Sequence, residues 1–212
     1  MESAGYIRSL AVAKNNAIFV GTTKNTILEG ALQAKFRFVV QGHSDEVYAL
    51  SCHAKDSTFV TGGYDCQLIK WFAPIHRSVW RTPLEKQCLS VAFHPHDDVV
   101  ALGTSIGRLV VLNTYNGMHV CSVQVGGITD ALTSLQYAPE GDMIVCGSQE
   151  GPLYVSLVED GGRTYRRHKA GVIENGGGPV KNIDWHDSIA ELVQFSVGTE
   201  GHGFGWFIKF FF

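Results

Sequence analysis

The chain has 212 residues, 45% hydrophobic and 17% charged, with 24 glycines, a composition that fits one globular domain and excludes a disordered segment. Its 17 Lys and Arg against 20 Asp and Glu leave a net charge of -3, which does not point to nucleic acid as a partner. Cys52, Cys66, Cys88, Cys121 and Cys146 form no CxxC pair and sit mostly in apolar runs, as free buried thiols of a reducing compartment do. No basic-then-apolar leader opens the sequence, and no apolar run reaches the roughly 18 residues that span a bilayer. A cytoplasmic protein without membrane contact is expected.

In chain order, the alternating SLAVA at 9–13 predicts a strand, and a second strand closes at Val20-Gly21. The clearest unit runs from Gly42-His43 to Trp71. After the Gly-His pair, residues 46–52 alternate as a strand, and Lys55-Asp56-Ser57 is a polar turn. Residues 58–61 form a second strand, Gly62-Gly63-Tyr64-Asp65 a tight turn, and residues 67–71 a third strand. Further strands follow at 89–93, 109–114 and 118–124, the last two joined by Tyr115-Asn116-Gly117, where both central positions of a hairpin turn can take positive φ. Pro95 and Pro139 each follow a strand, where a missing N–H costs no ladder bond. Gly161-Gly162 turns the chain into an outer strand, and Gly176-Gly177-Gly178-Pro179 leads to another at 181–185. That glycine run has no following Lys-Ser/Thr and no helix, so it is not a phosphate loop.

These segments repeat. Strand-ending glycines fall at Gly21, Gly62, Gly103 and Gly147, with steps of 41, 41 and 44. Ala11, Cys52, Phe93, Tyr137 and Trp185 align across the first strands of the units, at steps of 41, 41, 44 and 48. A period of about 40–45 residues, with Gly-His early and Trp late, is that of WD40 propeller blades. The expected fold is therefore all-β: an incomplete WD40 β-propeller of about four blades plus the start of a fifth, at roughly 1–33, 36–74, 79–115, 118–158 and 163–188. His43, Thr61, Asp65 and Trp71 would form a buried hydrogen-bonded structural tetrad, since a buried carboxylate is tolerated only when it is paired. Past Ser188 the pattern fails, and residues 189–212 read as a divergent aromatic tail, an aberrant end in preference to a membrane or partner hook. An incomplete array leaves two blade faces uncovered, so marginal stability or self-association through open propeller faces is expected.

Several phrases go beyond a generic repeat. TILEGAL at 26–32 with VVQGHSDEVYALSCH at 39–53, VTGGYDCQLIKW at 60–71 and SVAFHPHDDVVALGTSIGRLVVLNT at 90–114 resemble the echinoderm microtubule-associated protein-like family. So do LQYAPEGDMIVCGSQEGPLYVSLVEDGGRTYRR at 135–167 and VKNIDWHDS at 180–188. The resemblance covers roughly residues 18–188 and implies a non-catalytic scaffold of joined WD40-like propellers that associates with microtubules. The hydrophobic motif and coiled coil that precede the propellers in that family are absent from this sequence, as is its strand pair after Ser188.

Candidate chemistry is sparse. His43, Asp65 and Thr61 could be imagined as a catalytic set, but the blade pattern gives them a structural role. His94, His96, Asp97 and Asp98 are ordinary metal-ligand types, yet they sit in a polar turn with no second motif at fixed spacing. No catalytic residue, cofactor or metal is expected. Partner binding has two candidate sets: the basic run Arg163, Arg166 and Arg167, and the loop residues Glu46, Tyr64, Arg108 and Glu150 beside the propeller channel. The leading reading is a scaffold for tubulin or microtubules in the cytoskeleton, and the alternative is a WD40 adaptor for other proteins.

Overall fold

The computed structural model describes the backbone of residues 5–13, 17–173, 178–186, 192–199 and 202–211. It divides into two units, residues 1–47 and residues 48–212. In the first, β1 (Ile7–Val12), β2 (Ile18–Thr22), β3 (Thr26–Gly30) and β4 (Arg37–Gln41) form an antiparallel sheet in sequential order. The second sheet joins β5 (Val47–Cys52), β6 (Thr58–Gly63), β7 (Gln67–Phe72) and β8 (Arg77–Pro83). The third contains β9 (Cys88–Phe93), β10 (Val99–Thr104), β11 (Arg108–Asn113) and β12 (His119–Gln124). The fourth contains β13 (Leu132–Tyr137), β14 (Met143–Ser148), β15 (Leu153–Glu159) and β16 (Thr164–Ile173). A three-stranded sheet of β17 (Val180–His186), β18 (Leu192–Thr199) and β19 (His202–Phe211) follows. The chain is all-β, and its four-stranded antiparallel meanders are the blades of a partial β-propeller.

The sheets are displaced by one strand from the sequence repeats. Residues 37–41 open the repeat read at 36–74, yet β4 pairs with β3, with Thr26 opposite Gln41 and Glu29 opposite Arg37. β8, β12 and β16 likewise complete the sheet before them, because a short hairpin ties each to its predecessor. The last sheet continues past the point where the sequence pattern stops: Trp185 pairs with Phe195, and Phe195 with Ile208. The aromatic segment read as a tail is β-prone, and its backbone extends the sheet. Gly176, Gly177 and Ser188, singled out from the sequence, lie outside the described residues.

Burial explains the glycine period. A Cβ on Gly103 would lie 2.4 Å from Ser90 Oγ and 2.8 Å from Leu132 Cβ, so β10 passes both its own inner strand and the next sheet too closely for a side chain. β10 and β14 are buried along their whole length, since each is covered on both faces. Leu68, Leu102 and Leu112 belong to the cluster between the second and third sheets, and Val111, Leu135 and Ile144 to that between the third and fourth. Val145, Leu153 and Val180 continue the series into the last sheet. Each such side chain contributes about 1.5–3 kcal/mol through burial. In the first unit, by contrast, every residue of β1 is exposed, including Ile7, Leu10 and Val12.

Two turns differ from expectation. Gly62 and Gly63 belong to β6, and the turn to β7 is completed by Cys66, at φ 56°. The same place in the other turns holds Asn25, Gly107 and Gly151, all left-handed. In the β11–β12 turn only Gly117 has positive φ. The Asn113 side chain explains this: its Oδ1 accepts the Tyr115 and Asn116 N–H groups and winds them right-handed, leaving Gly117 to close the turn on the Asn113 carbonyl.

Candidate interaction surfaces

The tetrad residues can be placed individually. His43, in the first unit, is buried, and its carbonyl accepts a hydrogen bond from Asn25 Nδ2 at 3.3 Å. In the second unit, Trp71 Nε1 donates to the buried Thr61 Oγ1 at 2.8 Å, a reach set by the β6–β7 register that puts Phe59 opposite Trp71. Asp65 accepts the Gln67 N–H at 3.2 Å, which caps the turn. Asp65 and Trp71 are only half-buried, because one sits in a surface turn and the other at the far end of β7.

A buried carboxylate that the sequence did not reveal is Asp130, 2% exposed, just before β13. Its Oδ2 accepts the Tyr154 hydroxyl at 2.7 Å and its Oδ1 the Glu150 N–H at 3.0 Å. It ties the loop entering the fourth sheet to the β14–β15 turn, with the pairing that a buried carboxylate requires. Only the Asp two residues ahead of an inner strand hinted at it, and its partners lie 20 and 24 residues downstream.

Of the histidines considered as metal ligands, His94 is engaged in other bonds. His94 Nδ1 accepts the N–H groups of His96 and Asp97 at 3.2 and 2.9 Å, so the proton is on Nε2, which donates to the Gly141 carbonyl at 2.9 Å. Its ring packs edge-on against Tyr137, with centroids 4.8 Å apart. One repeat earlier, His53 does the same: Nδ1 accepts from Lys55 and Asp56, and the ring meets Phe93 at 5.0 Å. The imidazoles that follow β5 and β9 therefore each cap their own loop and pack against the aromatic that ends the next inner strand.

The partner-binding candidates of the second unit fall into two places. Tyr64, Arg108 and Glu150 lie in or beside the turns that join the second and third strands of successive sheets. Tyr64 is exposed, and its ring lies 6.3 Å from that of Tyr48. Arg108 is half-buried, with Nη1 3.5 Å from Glu85 Oε2. Arg163 is in the loop at the other end of the fourth sheet, and Arg166 and Arg167 are on its outer strand β16. Arg163 Nη1 donates to the Asp160 carbonyl at 3.3 Å, and Arg166 is paired with Glu159, whose carboxylate raises the guanidinium pKa. Arg167 is exposed. Glu46, in the first unit, is exposed in the loop after β4, where its N–H donates to Asp45 Oδ1. The basic run and the turn residues thus occupy opposite ends of their sheets and do not form one site.

Comparison with known proteins agrees with the architecture. Residues 34–71 match the WD domain, G-beta repeat. The chain is similar to echinoderm microtubule-associated protein-like 1 of Homo sapiens, 36% identical over 195 residues that make up 92% of this chain and 23% of that protein. It is also similar to the 77 kDa echinoderm microtubule-associated protein of Strongylocentrotus purpuratus, 33% identical over 90% of this chain and 27% of the relative. Echinoderm microtubule-associated protein-like 2 of Mus musculus is 31% identical over 87% of this chain and 28% of its own length. The chain thus spans 23–28% of the length of these relatives. Over about nine-tenths of its length, this WD40-repeat chain is homologous to proteins of the echinoderm microtubule-associated protein-like family.

Proposed function

We propose that the chain is a non-catalytic WD40 scaffold that associates with microtubules in the cytoskeleton of the cytoplasm. The observation that carries this reading is its similarity, along nine-tenths of its length, to proteins whose names state microtubule association. The exposed cationic edge of the fourth sheet, with Arg163, Arg166 and Arg167, is the surface we assign to an acidic polymer, through long-range attraction. Co-sedimentation with stabilised microtubules at low and high salt tests it, beside a spin without microtubules. Pelleting that needs microtubules, weakens with salt and falls when the three arginines become Glu supports the proposal. A chain that stays in the supernatant at low salt overturns it for these blades.

A second reading, an adaptor for other proteins, is favoured by the exposed Tyr48 and Tyr64 with Leu50 beside them on β5, because aromatic residues are enriched in protein interfaces. Self-association is a further proposal, supported by the exposed apolar residues of β1. Sedimentation velocity that yields a monomer at every concentration overturns it.

A further inference from the structure

Between the second and third sheets the shared core is not closed over at its outer side. Leu102 and Leu112 are fully buried there, whereas Leu84, Ile106 and Val110 are half-exposed and wall a cleft of about 290 Å³. That volume is at the lower limit of ligand pockets, which run about 300–1,000 Å³, and it suits a large aliphatic side chain.

Two further observations define what enters. β12 is the last strand of its sheet, so one row of its backbone N–H and C=O groups faces away from β11. Ser122, opposite Val110 in the β11–β12 register, is exposed and lines the mouth of the cleft. An extended segment laid beside β12 could add as a strand and send alternate side chains inward. At the rim, Lys86 is exposed and makes no hydrogen bond or ion pair among the described residues. Arg108 Nη1 lies 3.5 Å from the carboxylate of Glu85, which is itself 85% exposed. His119 is exposed at the same cleft. Two cations, Lys86 and Arg108, against the one carboxylate of Glu85 favour an acidic ligand.

We propose that this cleft docks a short, extended, acidic segment of a partner protein, with a large aliphatic side chain seated between Leu84 and Val110 and carboxylates beside Lys86 and Arg108. The site is separate from the arginines of the fourth sheet and does not depend on microtubule association.

The test uses the full chain and a fluorescein-labelled nonapeptide of glutamates around a central leucine, read by fluorescence polarisation. The expected result is saturable binding, weakened at least tenfold by Ser122→Trp, which plugs the mouth, and by serine at the peptide's centre. Lys86→Glu with Arg108→Glu should weaken it to a similar extent, and a lysine version of the peptide should not saturate. Far-UV circular dichroism and melting confirm that each variant folds. If Ser122→Trp does not fold, the charge-reversed variant and the serine peptide decide. The proposal is overturned by absence of saturable binding, by equal binding of the lysine peptide, or by binding that both the cleft variants and the serine peptide leave unchanged. It is also overturned if decanoate occupies the cleft and the peptide does not, which would make this a small-molecule site.

Discussion

His94 Nε2 reaches across from the third sheet to the Gly141 carbonyl of the fourth, at 2.9 Å, while its Nδ1 holds the loop from which it comes. One buried side chain thereby joins a loop cap to an inter-sheet bond, and the same ring packs on Tyr137.

Replacing His94 separates these roles. His94→Ala should cost about 2–4 kcal/mol, since it leaves buried backbone groups without partners. His94→Asn keeps an acceptor near the Nδ1 position and should cost about half as much. Urea unfolding of the two variants measures the difference, and equal losses would contradict the double role.

The left-handed turn residues give a prediction of opposite sign at two equivalent places. Cys66 adopts φ 56° at a position where Gly107 and Gly151 stand in later sheets. Cys66→Gly should stabilise the chain by up to about 1 kcal/mol, because an L side chain in that conformation costs about 1–2 kcal/mol and glycine loses part of this in the unfolded state. Gly107→Ala should destabilise it by at least about 2 kcal/mol, because its Cβ would meet the Gly127 carbonyl at 2.2 Å in addition to the backbone strain. Thermal melts of both variants give the signs.

The thiols predict an alkaline limb of stability. Burial pushes both Cys88 and Cys146 up to about 12 from an ordinary 9.0, so the folded state keeps protons that the unfolded state releases. Their contribution is complete below pH 9.0 and is lost as pH rises toward about 12. Between pH 9 and 10 the pair should remove about 2 kcal/mol, and a Cys88→Ala, Cys146→Ala variant should lose much of that slope. At pH 8 the exposed Cys52 should react with a disulfide reagent well before either buried thiol. Rapid labelling of Cys88 in the folded chain would refute its assignment to the core.

The parts of this structure that the sequence revealed are those enforced by hard sterics. Gly103 has no room for a Cβ, and a demand of that kind recurs at each equivalent position and sets a visible period. The turn at Cys66 was not legible, because a left-handed residue that is neither Gly nor Asn carries no mark. Asp130 was missed for another reason: its value comes from Tyr154 and the Glu150 N–H, which only the meander brings together. The separation of Arg163 from Tyr64 follows from strand connectivity, since the two loops leave opposite ends of a sheet, and residue type says nothing about it.

The contrast between β1 and β10 sets a hierarchy in time as well as in energy. An amide in a strand exposed along its whole length, as in β1, is released by local fraying, whereas one in β10, closed in on both faces, exchanges only when a shared core opens. Deuterium should therefore enter the first sheet early and the third sheet late, and a protease should trim this chain from the β1 side before it reaches the sheets that share their cores.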